Sequence, residues 1–302
     1  MDETLAVDGA SSVDVSASQD GYTIRPFASM EDYRACVDLQ EATWGDGFSE
    51  RVSPAILKVS QILGGVAAGA YDEAGNLVGF VFGLTGVRDG ETVHWSDMLA
   101  VRPEVRDAGL GRRLKMYQRD ALLAGGIAKM YWTFDPLQSR NAHLNLTRLG
   151  VVVREYRVNM YGESDSPLHR GIGTDRFVPV WLLDSERVRR RLEGESARVF
   201  GDVPTALEGE TAALEEADPG SAPHPLPGTP DLDLTGNDAI RVVIPSDIGA
   251  VMADDMGLAV AWREATRAVF ERYLVEGFEV TEFERGRRVS AYLLTRKGEA
   301  KP

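Results

Sequence analysis

Three strand-like runs in close succession most constrain what this chain can fold into. Val66–Tyr71, Leu77–Val87 and Glu91–Val101 are apolar and rich in β-formers, and only Asp72–Glu73–Ala74–Gly75–Asn76 and Asp89–Gly90 separate them. Turns that short force antiparallel neighbours. Pro103 then stops the third run, and a helical pattern follows across Gly109–Gly126, with Leu110, Leu114, Tyr117 and Ala121 at helical spacing. Arg112, Arg113, Lys115 and Arg119 fall on its expected solvent side.

Other elements frame this meander. Tyr22–Pro26 reads as a strand, and Ser29 caps a helix to about Trp44, with Asp32 as the acidic partner of a capping box and an apolar stripe at Tyr33, Cys36, Val37 and Leu39. Pro54–Leu63 reads as a second helix, ended by Gly64–Gly65. Downstream come a strand over Ile127–Phe134, a helix over Ser139–Leu149 with Gly150 beyond it, strands over Val151–Tyr161 and Phe177–Leu183, and a charged helix near Ser185–Leu192. After Ile240–Pro245, helices within Ser246–Glu276 are expected to break at Gly257, and Phe278–Glu284 with Arg287–Thr295 closes as a hairpin. Trp262, Ala265, Val269 and Tyr273 form a packing stripe, turned onto the core or onto the second subunit of a homodimer. The order predicts an α/β or α+β fold, with antiparallel hairpins first and a crossover helix later.

Charge locates the flanking segments. The net charge is −14, and residues 1–21 and 200–240 hold five and nine acids with no Lys or Arg, which accounts for the whole imbalance. The expected organisation is a disordered acidic tail over 1–20, a core over 21–199, an acidic Pro/Gly-rich linker or insertion over 200–238, and an α/β extension over 239–302 packed on the core. The lack of a basic patch argues against nucleic acid. A single cysteine, Cys36, excludes an internal disulfide, and no CxxC or Cys/His cluster suggests a metal. No apolar run approaches the roughly 18 residues of a spanning helix, and the N-terminus lacks a signal-peptide pattern, so a cytoplasmic protein is expected.

The segment Val101-Arg-Pro-Glu-Val-Arg106-Asp-Ala108-Gly109-Leu110-Gly111-Arg112 carries the most specific chemistry. Glycines at a helix start leave backbone N–H groups uncovered, the helix dipole adds about half a positive charge, and Arg106 and Arg112 flank it. That combination suits a pyrophosphate. The spacing is neither GxGxxG nor GxxxxGK[ST], which excludes the Rossmann and P-loop readings.

Arg106-x-x-Gly109-x-Gly111, placed after a strand ending in Val101, resembles the acyl-CoA pyrophosphate loop of the GNAT N-acyltransferase superfamily. The resemblance covers about residues 22–184. Blocks at Trp132–Leu137, Asn141–Asn145, Tyr156–Gly162 and Thr174–Arg176 resemble an acetyltransferase subgroup associated with N-acylamino-acid metabolism. The resemblance implies an α/β sandwich, a mixed central sheet flanked by helices, here with a C-terminal helix-plus-hairpin extension. It also implies acetyl-CoA or another acyl-CoA such as succinyl-CoA as donor, a small-molecule amine, such as an amino acid, as acceptor, and direct attack in a ternary complex without metal. The pantetheine arm would lie where the strand of Val101 parts from that of Ile127–Phe134. Main-chain groups near Leu99 and Val101 would pair with it, an N–H beside Leu99 would polarise the thioester carbonyl, and Asn141 would hydrogen-bond the cofactor.

The chain departs from the family where Leu146 replaces a tyrosine that protonates the leaving thiolate, so Tyr156 and Tyr161 become the candidate acids. Asp97 is the expected general base, four residues before Val101 and on its face by a period of two, with His94 on the opposite face. His94 and His143 read as structural, and His169 and His224 receive no role. Arg140, Arg154, Arg170 and Arg176 are candidates for a substrate carboxylate, and Trp44, Trp132, Phe134 and Trp181 either wall an acyl pocket or pack the core. Competing readings are a protein lysine or N-terminal acetyltransferase and a non-catalytic acyl-CoA-binding module.

Overall fold

The structure, a computed structural model, describes residues 17–45, 48–162, 171–195, 200–210 and 224–298. The chain divides into two compact units, Met1–Ala128 and Lys129–Pro302. The division falls inside the expected 21–199 core rather than at its end.

The first unit contains strands β1 (Ala17–Gln19), β2 (Tyr22–Pro26), β3 (Val66–Tyr71), β4 (Leu77–Arg88) and β5 (Glu91–Val101), hydrogen-bonded in that order and antiparallel throughout. Pairing of Ala17–Gln19 with Tyr22–Ile24 places residues 17–19, expected in the tail, within the sheet. Helix α1 (Met30–Trp44) begins with the capping box expected at Ser29: its hydroxyl accepts from the Asp32 amide at 3.3 Å, and the Asp32 carboxylate accepts from the Ser29 amide at 3.2 Å. The same carboxylate takes both arms of Arg25 and the Tyr71 hydroxyl. Burial works against its charge, but these donors hold it well below the usual carboxylate range. Helix α2 (Pro54–Ile62) starts on a Ser53 cap, with proline in its first turn. Both helices cover one sheet face, burying Tyr33, Cys36, Leu39 and Leu57 against Ala67, Phe80, Phe82, Met98 and Ala100.

Helix α3 (Leu110–Ala124) lies on the other face, where Leu114 closes on Gly79. Its inward row is Leu110, Leu114, Lys115, Gln118 and Leu122. Lys115 therefore points inward, 7% exposed, contrary to the solvent side expected for it. Amphipathicity counts every lysine as a surface residue, whereas here Ser96 receives its ammonium group inside.

The second unit opens with β6 (Lys129–Tyr131), shorter than the expected Ile127–Phe134 because the chain beyond it makes only a single bridge, Phe134 to Phe177. The expected helix over Ser139–Leu149 is one α-turn, α4 (Ser139–Ala142), followed by a π-helix over His143–Arg148 that ends at Gly150 in the left-handed conformation. Strand β7 (Val152–Arg157) stops four residues before the expected Tyr161, where Asn159 takes a positive φ. Strand β8 (Arg176–Leu182) and helix α5 (Glu186–Leu192) follow, the latter capped by Ser185.

Within the expected linker lie β9 (Thr205–Leu207), β10 (Gly209–Glu210) and β11 (Leu226–Pro227). After β12 (Ala239–Pro245) come α6 (Ile248–Asp254), α7 (Met256–Val275), β13 (Phe278–Glu284) and β14 (Val289–Arg296). Asp255, not Gly257, separates the two helices, and its carboxylate caps α7 at the Leu258 amide. The sheet of this unit runs β6-β8-β7-β13-β14-β12-β9. All its pairs are antiparallel except β12 with β9, which makes it mixed, and β10 and β11 form a separate hairpin. The C-terminal helix and hairpin thus continue this sheet through the pairing of Val280 with Val153. Helix α7 packs inside its own unit: Trp262 donates to the Pro225 carbonyl and Tyr273 to that of Asp231, which ties down described parts of the acidic segment. The fold is α+β.

Candidate functional site

The first unit contributes the glycine-bearing loop and the strand before it. Arg102 donates from its amide to the Val78 carbonyl at 2.8 Å and from Nε to that of Leu77 at 3.0 Å, which holds the exit of β5 against β4. Pro103–Ala108 then makes a 3-10 helix, and Gly109 turns into the left-handed region at φ 68° to start α3. An L-residue is strained there, which explains the glycine. Among the described residues no side chain caps α3, and its first intrahelical bond runs from the Arg113 amide to the Gly109 carbonyl. The Leu110 and Gly111 amides precede that bond, at the positive end of a 15-residue helix. Leu110 is fully buried and anchors the turn, while the space where a Gly109 side chain would stand holds no atom within 4 Å. Arg112 is exposed on the first turn. The side chains of Arg106 and Ala108, expected beside this turn, lie outside the described residues. Backbone and space fit a diphosphate.

Strand β5 carries a β-bulge that its sequence does not announce. Phe82 pairs with Met98 and Gly83 with Ser96, which leaves Asp97 as the extra residue. Ser96 bonds Gln118 and Lys115 of α3, and Leu99 lies near Gly111, whereas Met98 and Ala100 pack with α1 and α2. The break in alternation lies between Ser96 and Met98, so Ser96 and His94 share the α3 face with Leu99, contrary to the opposite face expected for His94. The Asp97 side chain reaches solvent, yet the surrounding protein, followed by the charge of Glu50, raises its pKa above the ordinary carboxylate value.

Behind the bulge runs a buried hydrogen-bond chain with one direction. Lys115 Nζ donates to Ser96 Oγ at 2.7 Å, and Ser96 donates to Gln118 Oε1 at 2.9 Å. Gln118 Nε2 meets His94 Nε2 at 2.9 Å, and His94 Nδ1 meets Thr85 Oγ1 at 3.2 Å. Thr85 spends its only proton on the Gly64 carbonyl, so His94 carries its hydrogen on Nδ1 and accepts from Gln118 at Nε2. Burial pulls the His94 pKa down to about 3, with help from Lys115, and pulls that of Lys115 down to about 7. Gly83 is required here, because a side chain on it would come within 2.2 Å of His94 Nε2.

In the second unit Asn141 is exposed on α4, and Leu146 is fully buried in the π-helix. Tyr156 packs edge-on to Phe177 and donates its hydroxyl to Asp175 Oδ2 at 2.5 Å. Burial, then Asp175, raises its pKa far above that of a free phenol, so it is held as a donor to that carboxylate. Tyr161 is 44% exposed and shares a 3.0 Å hydrogen bond with Thr133. Of the two candidate acids, Tyr161 is the more exposed.

Asp175 also takes the Asn159 amide and both ends of Arg267, and Asp135 binds Arg263 at 2.6 Å. Arg263 and Arg267 escaped sequence reasoning because they flank the row of Trp262, Ala265, Val269 and Tyr273, and an arginine beside an apolar row is ordinarily a surface residue. Arg176 is buried and donates to the Asp175 carbonyl. Arg154 pairs with Glu279, Arg140 is exposed, and Arg170 and His169 lie outside the described residues. His143 is half-buried, and His224 meets Asp254 at 2.8 Å. The candidate pocket aromatics pack within their own units: Trp44 against Phe48 and Phe80, Trp132 edge-on to Trp181, Phe134 edge-on to Phe177.

No protein-family model matches the chain, and no curated protein does. Solved structures do. The ribosomal-protein-S5-alanine acetyltransferase of Vibrio fischeri matches 57% of this chain and 98% of its own at 16% identity and a TM-score of 0.46. The ribosomal-protein-S18-alanine N-acetyltransferase of Escherichia coli matches 54% and 95% at 18% identity and a TM-score of 0.43. A GNAT-superfamily phosphinothricin acetyltransferase of Sinorhizobium meliloti, solved with acetyl-CoA, matches 53% and 87% at 16% identity and a TM-score of 0.43.

Proposed function

We propose that the protein is an acyl-CoA-dependent N-acyltransferase of the GNAT kind, acting on the amine of a small molecule such as an amino acid. The supporting observation is the start of α3. After the Arg106-x-x-Gly109-x-Gly111 pattern, a left-handed Gly109 opens a helix that no side chain among the described residues caps, with open space above it. Backbone amides there would accept the diphosphate of coenzyme A, with Arg106 and Arg112 adding charge.

The thioester supplies an activated acyl group and a stable leaving thiolate. Around it the chain would bind, orient and move one proton. Main-chain groups of Leu99 and Val101, with Ala108 and Leu110 in the turn, would hold the donor, and an N–H beside Leu99 would stabilise developing negative charge, an effect of roughly 3 kcal/mol. Asp97, its proton affinity raised by its surroundings, would take the proton of an arriving ammonium group directly or through water. Asn141 would contact the pantetheine side. Tyr161 is preferred over Tyr156 as proton source for the thiolate, because the Tyr156 hydroxyl is engaged with Asp175.

Coenzyme A titrated into the full chain should bind saturably, and Gly109→Trp should abolish that binding while leaving the circular dichroism spectrum unchanged. Absence of binding to the native protein removes the reading. Thiol release from acetyl-CoA and succinyl-CoA over a panel of amines and peptides then separates small-molecule from protein acceptors. Asp97→Asn should slow turnover and flatten the rise of rate with pH, leaving affinity for coenzyme A unchanged. An unaltered pH–rate profile removes Asp97 as base.

A further inference from the structure

Helix α2 is apolar on two sides. Its underside is seated on the sheet: Leu57 is fully buried, Ser60 donates to the Gly83 carbonyl at 2.7 Å, and Gln61 donates to that of Phe27 at 3.2 Å. The opposite side carries Ala55, Ile56, Val59 and Ile62, continued by Leu63 at the C-cap, and all of them are exposed. Ile62 and Leu63 stand 72% and 67% in solvent, and Ile56 and Val59 close to half. Lys58, at the flank of this face, is the only charged residue of the helix. A helix apolar all round is ordinarily one covered on both sides.

The apolar surface runs on to β4. Ser60 and the Gly64 carbonyl hold Gly83 and Thr85 of that strand. Leu84 lies between them, alternates with Phe80 and Phe82 of the α1–α2 core, and is exposed on the same side. Together these side chains leave on the order of 500 Å² of apolar surface in water, at the upper end of what a monomer shows. Two such faces with their polar rims reach the roughly 1,000–1,200 Å² that a stable pair of chains buries.

The pattern of the face selects its occupant. Ile56 and Ile62 lie three residues either side of Val59, and Ala55 and Leu63 lie four either side. A second α2 laid antiparallel, with a two-fold axis at Val59, sets each Ile56 against Ile62 of the other copy and each small Ala55 against a large Leu63. A two-fold contact requires a patch that matches itself in this way, and a foreign ligand does not. Branched side chains on a seated helix also lose little freedom when covered.

We propose that the exposed face of α2, with Leu84, is a homodimer contact in which two copies of α2 pack antiparallel about a two-fold axis at Val59. The contact uses neither the glycine turn nor Asp97, so binding of coenzyme A neither supports nor removes it.

The test is sedimentation velocity on the full chain from about 1 to 100 μM, a range over which mass action should convert monomer to dimer. Val59→Asp sets two like charges at the axis and should raise the dimer dissociation constant about a hundredfold or more. Ile56→Lys and Ile62→Glu should each weaken the dimer, whereas the two together oppose Lys to Glu twice across the axis and should bind more tightly than either alone. Circular dichroism checks that each variant is folded, and Ile62→Glu, at the most exposed position, replaces Val59→Asp if that variant is not. A native chain that stays monomeric, a dimer undiminished in folded Val59→Asp, or a double variant no tighter than the single ones overturns the proposal. So does a monomeric native chain that binds phosphatidylcholine vesicles and loses them on Val59→Asp, which would give the face to a lipid surface.

Discussion

Lys115 and Arg263 both place a cation on the buried side of a helix, one in each unit, and their surroundings treat them in opposite ways. Lys115 is given a neutral serine, and burial brings its pKa down to about 7. Arg263 is given a carboxylate, and although burial disfavours its charge, Asp135 more than offsets this and raises its pKa. The pattern extends outward from each. Around Lys115 the chain buries Ser96, Gln118 and a neutral His94; in the second unit Arg187 and Arg191 converge on the buried Glu282. A lysine can meet burial by releasing a proton, whereas arginine keeps its charge and has to be paired. The first solution makes stability depend on pH, and the second makes it depend on having both partners.

That contrast can be broken by substitution. The largest effect is expected for Arg191→Met, which removes one of the two arginines on Glu282 and should cost about 2–3 kcal/mol in urea denaturation, Arg187 remaining on the carboxylate. Hydrogen exchange should rise first in β13 and β14; a cost below about 1 kcal/mol would show that the pair is not needed. Lys115→Met should behave differently. A depressed lysine pKa means that the unfolded chain holds the proton and the folded one does not between about pH 7 and 10.5. Stability of the first unit should therefore climb with pH across that window by about 1.4 kcal/mol per unit, and the methionine variant should lose the slope. An unchanged slope would mean that Lys115 stays charged. His94 gives the acid counterpart: stability should fall as pH drops from about 6.5 to 3, and His94→Gln should flatten the fall. The smallest effect, about 1 kcal/mol, is expected for Tyr156→Phe, because Asp175 retains Asn159 and Arg267 when the hydroxyl is gone.

Much of the first unit was legible in the sequence, because its signals are local. The Ser29 box, Pro54 and the Asp89–Gly90 turn each act within a few residues. The bulge at Asp97 was not, since an extra residue in a strand looks like any other until its partner strand is known. Lys115 was misplaced because polarity patterns assign every lysine to water. In the second unit the missing information is long-range: Arg263 meets a carboxylate 128 positions earlier, and β9 is a strand only because β12 lies beside it. The π-helix over His143–Arg148 likewise has no local signature distinguishing it from the α-helix expected there. Of the candidate site, the glycine turn could be read directly, because positive φ and an uncapped helix start both select glycine.

The line of donors from Lys115 to Gly64 has a consequence for how protons enter the first unit. A proton captured by His94 at Nε2 would confront the Gln118 amide donor, which could yield only by turning over. Its NH2 group would then face Ser96, whose hydroxyl would have to rotate toward Lys115, and only an unprotonated amine offers a lone pair to receive it. Imidazolium at one end therefore opposes ammonium at the other, by charge and by the turning of the donors between them. Because Lys115 binds a proton near pH 7 and His94 only near 3, acidification charges α3 first and leaves His94 neutral, so the line keeps its direction until strongly acid pH.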